Sequence, residues 1–180
     1  MILFLQSSAK LSQCYAYVGV ALRSALRMGL HRSHRSFARV FNPIEAETRK
    51  RVFWVIRKMD IYIGAILGLP QTLSDEDIDQ DMPIEHEDEY ITENGVLPMP
   101  AGTTSLMTAF NSHTTLVQLY TKIVRNVYPI RAKDVQANID KSYTVPFSAI
   151  RDIENDLEDW KSNLPAGLDP AKDSDAKLAR

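Results

Sequence analysis

An all-α fold is predicted by the sequence: an irregular helical bundle with antiparallel helix pairs and a long acidic loop. Three observations predict it. Apolar residues recur at steps of three and four in four separate stretches, the spacing of one face of a helix. No strand pattern competes with them. Glycine or proline closes each stretch, where a helix should stop. The chain has 180 residues, 44% hydrophobic and 24% charged, enough for one domain with a core and ordinary for a soluble globular protein.

The first helix is read from Leu11, Tyr15, Val18, Leu22, Ala25 and Gly29. It should end near Met28-Gly29, where glycine tolerates the left-handed turn. A basic linker from His31 to Phe41 follows. Asn42-Pro43-Ile44-Glu45 then predicts a helix start, with Asn42 as cap, Pro43 at the first position and Glu45 reaching back. The second helix places Val52, Ile56, Met59, Ile63 and Ile66 on one stripe, with Phe53 and Trp54 beside it, and ends at Gly68-Leu69-Pro70. Gly64 and Gly68 lie four apart, which suggests close approach of a neighbouring helix or a weakened last turn. The third helix runs through Leu106, Phe110, His113, Val117, Tyr120, Val124 and Val127 and stops before Pro129. The fourth carries Ile150, Ile153, Leu157, Trp160 and Leu164 and stops at Leu164-Pro165. Both Trp54 and Trp160 are expected to be largely buried.

Charge is divided unevenly along the chain. From Met1 to Gly68 there are eleven Lys or Arg against Glu45, Glu47 and Asp60. From Leu69 to Pro100 there are ten acids and no Lys or Arg. The expectation is that the acidic strip lies across the basic helices and compensates them. The length of that connection also marks it as a functional or mobile loop. The longest apolar run, Ile61 to Leu69, is about half of what a bilayer crossing needs. The single cysteine, Cys14, allows no internal disulfide and no thiolate-rich metal site, and fits a reducing compartment.

Candidate chemistry is thin. Asp75, Asp77 and Asp79 imitate the opening of a calcium loop, but Gln80 and His86 stand where its glycine and its last glutamate belong. His31 and His34 form one short pair, read as solvated and helix-ending; His113 is read as a buried neutral imidazole. The basic residues Arg23, Arg27, Arg49, Lys50, Arg51, Arg57 and Lys58 are read as surface charge, since neighbours on a helix point in different directions. No phosphate loop, nucleophile elbow or dinucleotide fingerprint is present, so the chain is read as not an enzyme, with no catalytic, metal or DNA-contacting residue.

The order of several blocks resembles a known family. Gly19-Val-Ala-Leu-Arg23 running into Gly29-Leu30-His31-Arg32 is one block. Glu47-Thr-Arg49-Lys50-Arg51-Val-Phe53-Trp54, with Asp60 after it, is the second. Gly68-Leu69-Pro70, Leu73 to Asp79 (with Asp77 inside it) and Met82-Pro83 make the third, and Leu157 to Pro165, with Trp160, the last. In this order they resemble the fungal-specific transcription factor domain, the middle homology region of fungal zinc binuclear-cluster transcription factors. Leu69 where arginine is usual, Lys50 within an arginine run and Ser33 where aspartate is common are departures.

The resemblance implies a regulatory helical domain that modulates transcription by RNA polymerase II in the nucleus. It implies a truncated larger domain over residues 1–165, followed by a polar tail over 166–180 that starts an incomplete element. DNA binding and zinc are implied only in a missing N-terminal part of the parent. Implied partners are other parts of that parent, the transcription machinery and a small-molecule effector, with no membrane. Two other functions remain open: a stand-alone helical interaction module lacking DNA binding, and a small helical ligand-binding protein or enzyme. Arg23 is expected to pair with Glu47 across the first two helices.

Overall fold

The computed structural model describes residues 2–33, 41–100, 102–127 and 145–169. His34, Pro129 and the tail beyond Asp169, which figure in the sequence reading, lie outside them. Two compact units are present, Met1–Asn111 and Ser112–Arg180.

The first unit is built on a helical hairpin. A short helix α1 (Ile2–Ser7), which the sequence reading did not anticipate, precedes α2 (Leu11–Arg27) and α3 (Pro43–Ile66). Cys14, Val18, Leu22 and Ala25 form the buried face of α2, the stripe expected from the spacing. Leu22 and Ala25, late in α2, share one apolar cluster with Phe53 and Trp54, early in α3. Cys14 and Val18, early in α2, share a second with Ile63, late in α3, and with Leu5 of α1. The two long helices are therefore antiparallel.

Both helices end in the same glycine device. Gly29 takes φ +68° and Gly68 φ +67°, a left-handed turn that a side chain would strain. In each, the next amide reaches back five residues: Leu30 N–H to Ala25 O at 2.9 Å and Leu69 N–H to Gly64 O at 2.8 Å. A Cβ on Gly64 would meet Leu69 O of the closing turn at 3.5 Å, an ordinary contact, and one on Gly68 would meet nothing within 4 Å, so the spacing does not mark close approach of a neighbouring helix. At the start of α3, Asn42 accepts the Glu45 N–H at 2.7 Å, with Pro43 at the first position.

One expectation for α3 fails. Val52 and Ile66 are exposed and Ile56 and Met59 only partly covered. The buried face runs instead through Glu47, Lys50, Phe53, Trp54, Arg57, Lys58, Asp60, Ile61, Ile63 and Gly64. Half of that face is charged because the acidic segment after Gly68 lies over it. That segment is an ordered strap. It contains short 3-10 turns at Asp75–Asp77 and Asp88–Tyr90 and a small antiparallel hairpin, β1 (Ile91–Thr92) with β2 (Gly95–Val96), paired Ile91 to Val96 and Thr92 to Gly95. Apart from this hairpin the described residues are helical or irregular, an all-α fold.

Helix α4 spans Leu106–Val127, and α5 spans Phe147–Ser162. In the second unit, Trp160 donates its indole N–H to Ser112 O at 2.8 Å, and Lys122 pairs with Asp156. Trp160 is only half-buried and His113 is exposed, against both expectations, and α5 buries none of its residues fully. Its apolar stripe is unbroken through Ile150, Ile153, Leu157 and Trp160 but only partly covered, Ile150 being exposed. Among the described residues, no helix is long and apolar enough to cross a membrane.

Candidate functional site

Of the residues in the family-like blocks, Glu47, Arg51, Trp54 and Asp60 meet the strap along α3, whereas Arg23 stands on the exposed side of α2. Glu47, Arg51, Trp54, Arg57 and Asp60 are spaced by three or four and so project from one side of α3. Each holds a different point of the strap.

At the end nearest Gly68, Asp60 is buried at 1% exposure. Its carboxylate accepts the Thr72 hydroxyl at 2.9 Å and the Thr72 N–H at 3.3 Å. Arg57, also 1% exposed, donates to Asp60 at 3.5 Å, to Gln71 Oε1 at 3.4 Å and to Asp75 at 3.4 Å. A buried guanidinium and carboxylate are tolerable only when paired and hydrogen-bonded, and the strap supplies those partners.

In the middle, Trp54 packs edge-to-face on Phe53 with ring centres 5.4 Å apart, and donates its indole N–H to Asp81 O at 2.9 Å. Gln80 is buried and donates to Leu30 O at 2.8 Å and Arg32 O at 2.9 Å, bonding the strap to the end of α2. His31 O accepts the Asp79 N–H at 2.9 Å, and Ser33 donates to Asp81 at 3.3 Å. At the far end, buried Glu47 accepts the Ile84 N–H at 2.8 Å and lies 3.4 Å from Lys50 and 3.5 Å from Arg51. Arg51 also reaches Asp88 at 2.5 Å. Pro83 is buried and its carbonyl accepts from Asn111 at 2.8 Å.

The expectation that the acidic strip compensates the basic helices is met at Arg32–Asp79, Arg51–Asp88 and Arg57–Asp75. The surface reading of the bases is corrected at Lys50, Arg57 and Lys58, all buried under or beside the strap. Lys58 lies with Nζ 3.3 Å from the centre of the Phe110 ring, and burial pushes its pKa down to about 8. The Arg23–Glu47 pair is also corrected. Glu47 takes Lys50, Arg51 and the Ile84 amide, while Arg23 lies on the exposed side of α2 with Nη2 4.0 Å from where a Gly19 Cβ would stand. Equal depth along two antiparallel helices does not put residues on facing sides; Arg23 is turned about 100° from its neighbour Leu22, which holds the buried face.

The calcium-like aspartates serve separate partners. Asp75 faces Arg57, Asp79 faces Arg32, and Asp77 accepts the Ser74 N–H and hydroxyl, each at 3.0 Å. Those two bonds, first the amide and then the hydroxyl, hold the Asp77 carboxyl below its usual range, helped by the charges of Arg57 and His31. Pro70 is exposed where the chain leaves α3.

Two grooves flank the strap, the first against the end of α2 and the second against α3. One of about 600 Å³ is lined by Leu26, His31, Arg32, Leu73, Glu76, Asp77 and Asp79. One of about 230 Å³ is lined by Ile44, Glu47, Thr48, Arg51, Asp88 and Ile91.

Sequence reasoning had no place for Arg57, Thr72, Gln80 or Lys58 in this framework. The helical period offered one signal, because Arg57 stands between Trp54 and Ile61 on the face shared with Phe53 and Asp60. Thr72 and Gln80 act from an irregular segment that carries no period.

Comparison with known proteins adds the family. The model of the fungal specific transcription factor domain matches residues 1–162. Activator of stress genes protein 1 of Candida albicans is 41% identical over 178 residues, 94% of this chain and 18% of that protein. Activator of stress genes 1 of Saccharomyces cerevisiae is 42% identical over 171 residues, 94% of this chain and 17% of that protein. Transcriptional activator protein acu-15 of Neurospora crassa is 32% identical over 156 residues, 84% of this chain and 15% of that protein. The chain thus spans 15 to 18% of the length of these relatives. No solved structure matches it.

Proposed function

The chain belongs to the fungal specific transcription factor domain family, and from that premise we propose that it is the regulatory, non-catalytic module of a nuclear regulator of RNA polymerase II transcription. In this reading DNA contact and zinc belong to another part of the parent polypeptide. The module acts through the acidic strap on α3, which sets how the parent presents itself to its other parts and to the transcription machinery.

The observation that carries this reading is the strap's attachment by charged and hydrogen-bonding side chains of α3, chiefly Glu47, Arg57 and Asp60. Polar fastenings of this kind can be opened or re-paired, whereas an apolar core repacks only at high cost. A small-molecule effector would meet the strap at the open groove beside Leu26, His31, Arg32 and Asp77.

The test is a parent regulator carrying Glu47→Gln, assayed for reporter expression and for occupancy of its promoter. The expected result is altered expression at unchanged occupancy and unchanged protein level. Unaltered expression, or occupancy lost in step with expression, would overturn the proposal.

A further inference from the structure

Ser74 opens the strap's first 3-10 turn and heads the run Asp75, Glu76, Asp77 and Asp79. It is half-exposed, and the acids after it are exposed. Its hydroxyl makes an exposed hydrogen bond to Asp77 Oδ2 at 3.0 Å, and its amide makes a second bond to the same oxygen. The turn buries none of its own residues; it is held by that cap, by the bonds from Asp77 N–H to Ser74 O and from Ile78 N–H to Asp75 O, and by the pairing of Asp75 with Arg57. Thr72, which also has an acid three residues on, is engaged through Oγ1 and N with Asp60.

We propose that Ser74 is a phosphorylation site for an acid-directed serine/threonine kinase, and that its phosphorylation opens the strap's first turn. A kinase with a basic substrate groove would read the carboxylates one, two, three and five residues after the acceptor. In the transfer, Ser74 Oγ bonds to the γ-phosphorus of a nucleoside triphosphate as the bond from that phosphorus to the β–γ bridging oxygen breaks. The nucleoside diphosphate leaves, and the hydroxyl proton passes to the base of the kinase.

The structural consequence follows from the bond that is replaced. Before transfer, Ser74 Oγ–H donates to Asp77. Afterwards that donor is gone and a phosphate of charge near −2 stands beside the same carboxylate, with Asp75 and Glu76 adjacent. Like charges this close repel, so Asp77 leaves the cap and the turn at Asp75–Asp77 opens. Asp75 sits in that turn and is the strap's ion-pair partner of Arg57, so the fastening of this end of the strap weakens next. This deepens the proposed role of the strap and depends on it only for its effect on transcription; phosphate uptake and turn opening are measured without it.

The experiment treats the full 180-residue chain with a purified acid-directed serine/threonine kinase and ATP, beside a peptide of residues 70–81 and a Ser74→Ala chain. Peptide mapping by mass spectrometry locates the phosphate, and amide hydrogen exchange reads the turn. The expected result is phosphate on Ser74 in the folded chain, none at that position in the variant, and faster exchange across 74–79 with the amides of α2 unchanged. Phosphorylation of the peptide but not of the folded chain would overturn the proposal, and so would phosphate on Ser74 with exchange unaltered.

Discussion

Helices α2 and α3 face each other in the same hairpin and end in the same glycine turn, yet they bury different chemistry. The buried face of α2 is wholly apolar: Cys14, Val18, Leu22 and Ala25. That of α3 includes Glu47, Lys50, Arg57, Lys58 and Asp60 as well as Phe53, Trp54, Ile61 and Ile63. The first is held by removal of apolar surface from water, which is non-directional. The second also needs a partner with donors and acceptors at fixed places, and the strap is that partner.

The largest expected effects set these two faces side by side. Leu22→Ala should destabilise the chain by about 2–5 kcal/mol through a cavity. Arg57→Met should cost about 3–5 kcal/mol, because it leaves buried Asp60 without its cation. The distinction comes from the double variant. Arg57→Met with Asp60→Asn should cost less than the sum of the single changes in denaturant unfolding, a coupling that Leu22→Ala with Arg57→Met should show only weakly. Additive costs for Arg57 and Asp60 would break the comparison.

A smaller effect is expected at Trp54. Trp54→Phe keeps most of the apolar surface but removes the bond to Asp81 O, and should cost about 1–2 kcal/mol. The loss should appear as faster exchange in the strap before any change in α2.

Lys58 on α3 gives the comparison a pH signature. Its folded pKa of about 8 lies below the ordinary 10.5, so between those values the unfolded chain binds the proton more tightly. Stability from this group is therefore highest above about pH 10.5, falls as the pH is lowered towards 8 and is flat below that, with a span of up to about 3 kcal/mol. The stability difference between the native chain and Lys58→Met, followed by chemical unfolding, should rise from pH 8 to 10.5. A difference that does not change over this range would mean that the ammonium is not desolvated.

The same contrast explains what could be read in the sequence. The stripe of α2 was legible because apolar spacing alone decides its burial, and the cap at Asn42 and the stops at Gly29 and Gly68 were legible because they are local chemistry. The stripe assigned to α3 missed by part of a turn: Val52 and Ile66 have the right residue type, but they lie on a side that the strap does not cover. The signature blocks located Glu47, Trp54 and Asp60 without assigning their partners, since Ile84, Asp81 and Thr72 lie 12 to 37 residues away in irregular chain. Arg23 was misassigned for a related reason, depth along a helix having been used where the side around it decides. Arg23→Met should accordingly be the mildest change, within about 0.5 kcal/mol, and strictly additive with Glu47→Gln.

The central claim is that side chains of α3 fasten the strap, and the amide of Ile84 reports on it most directly. Hydrogen exchange of that amide should be compared in the native chain and in Glu47→Ala. The account predicts slow exchange in the native chain and much faster exchange in the variant, with the Leu30 amide at the end of α2 protected in both. Exchange at Ile84 as fast as in an open loop in the native chain, or unaffected by loss of Glu47, would contradict it.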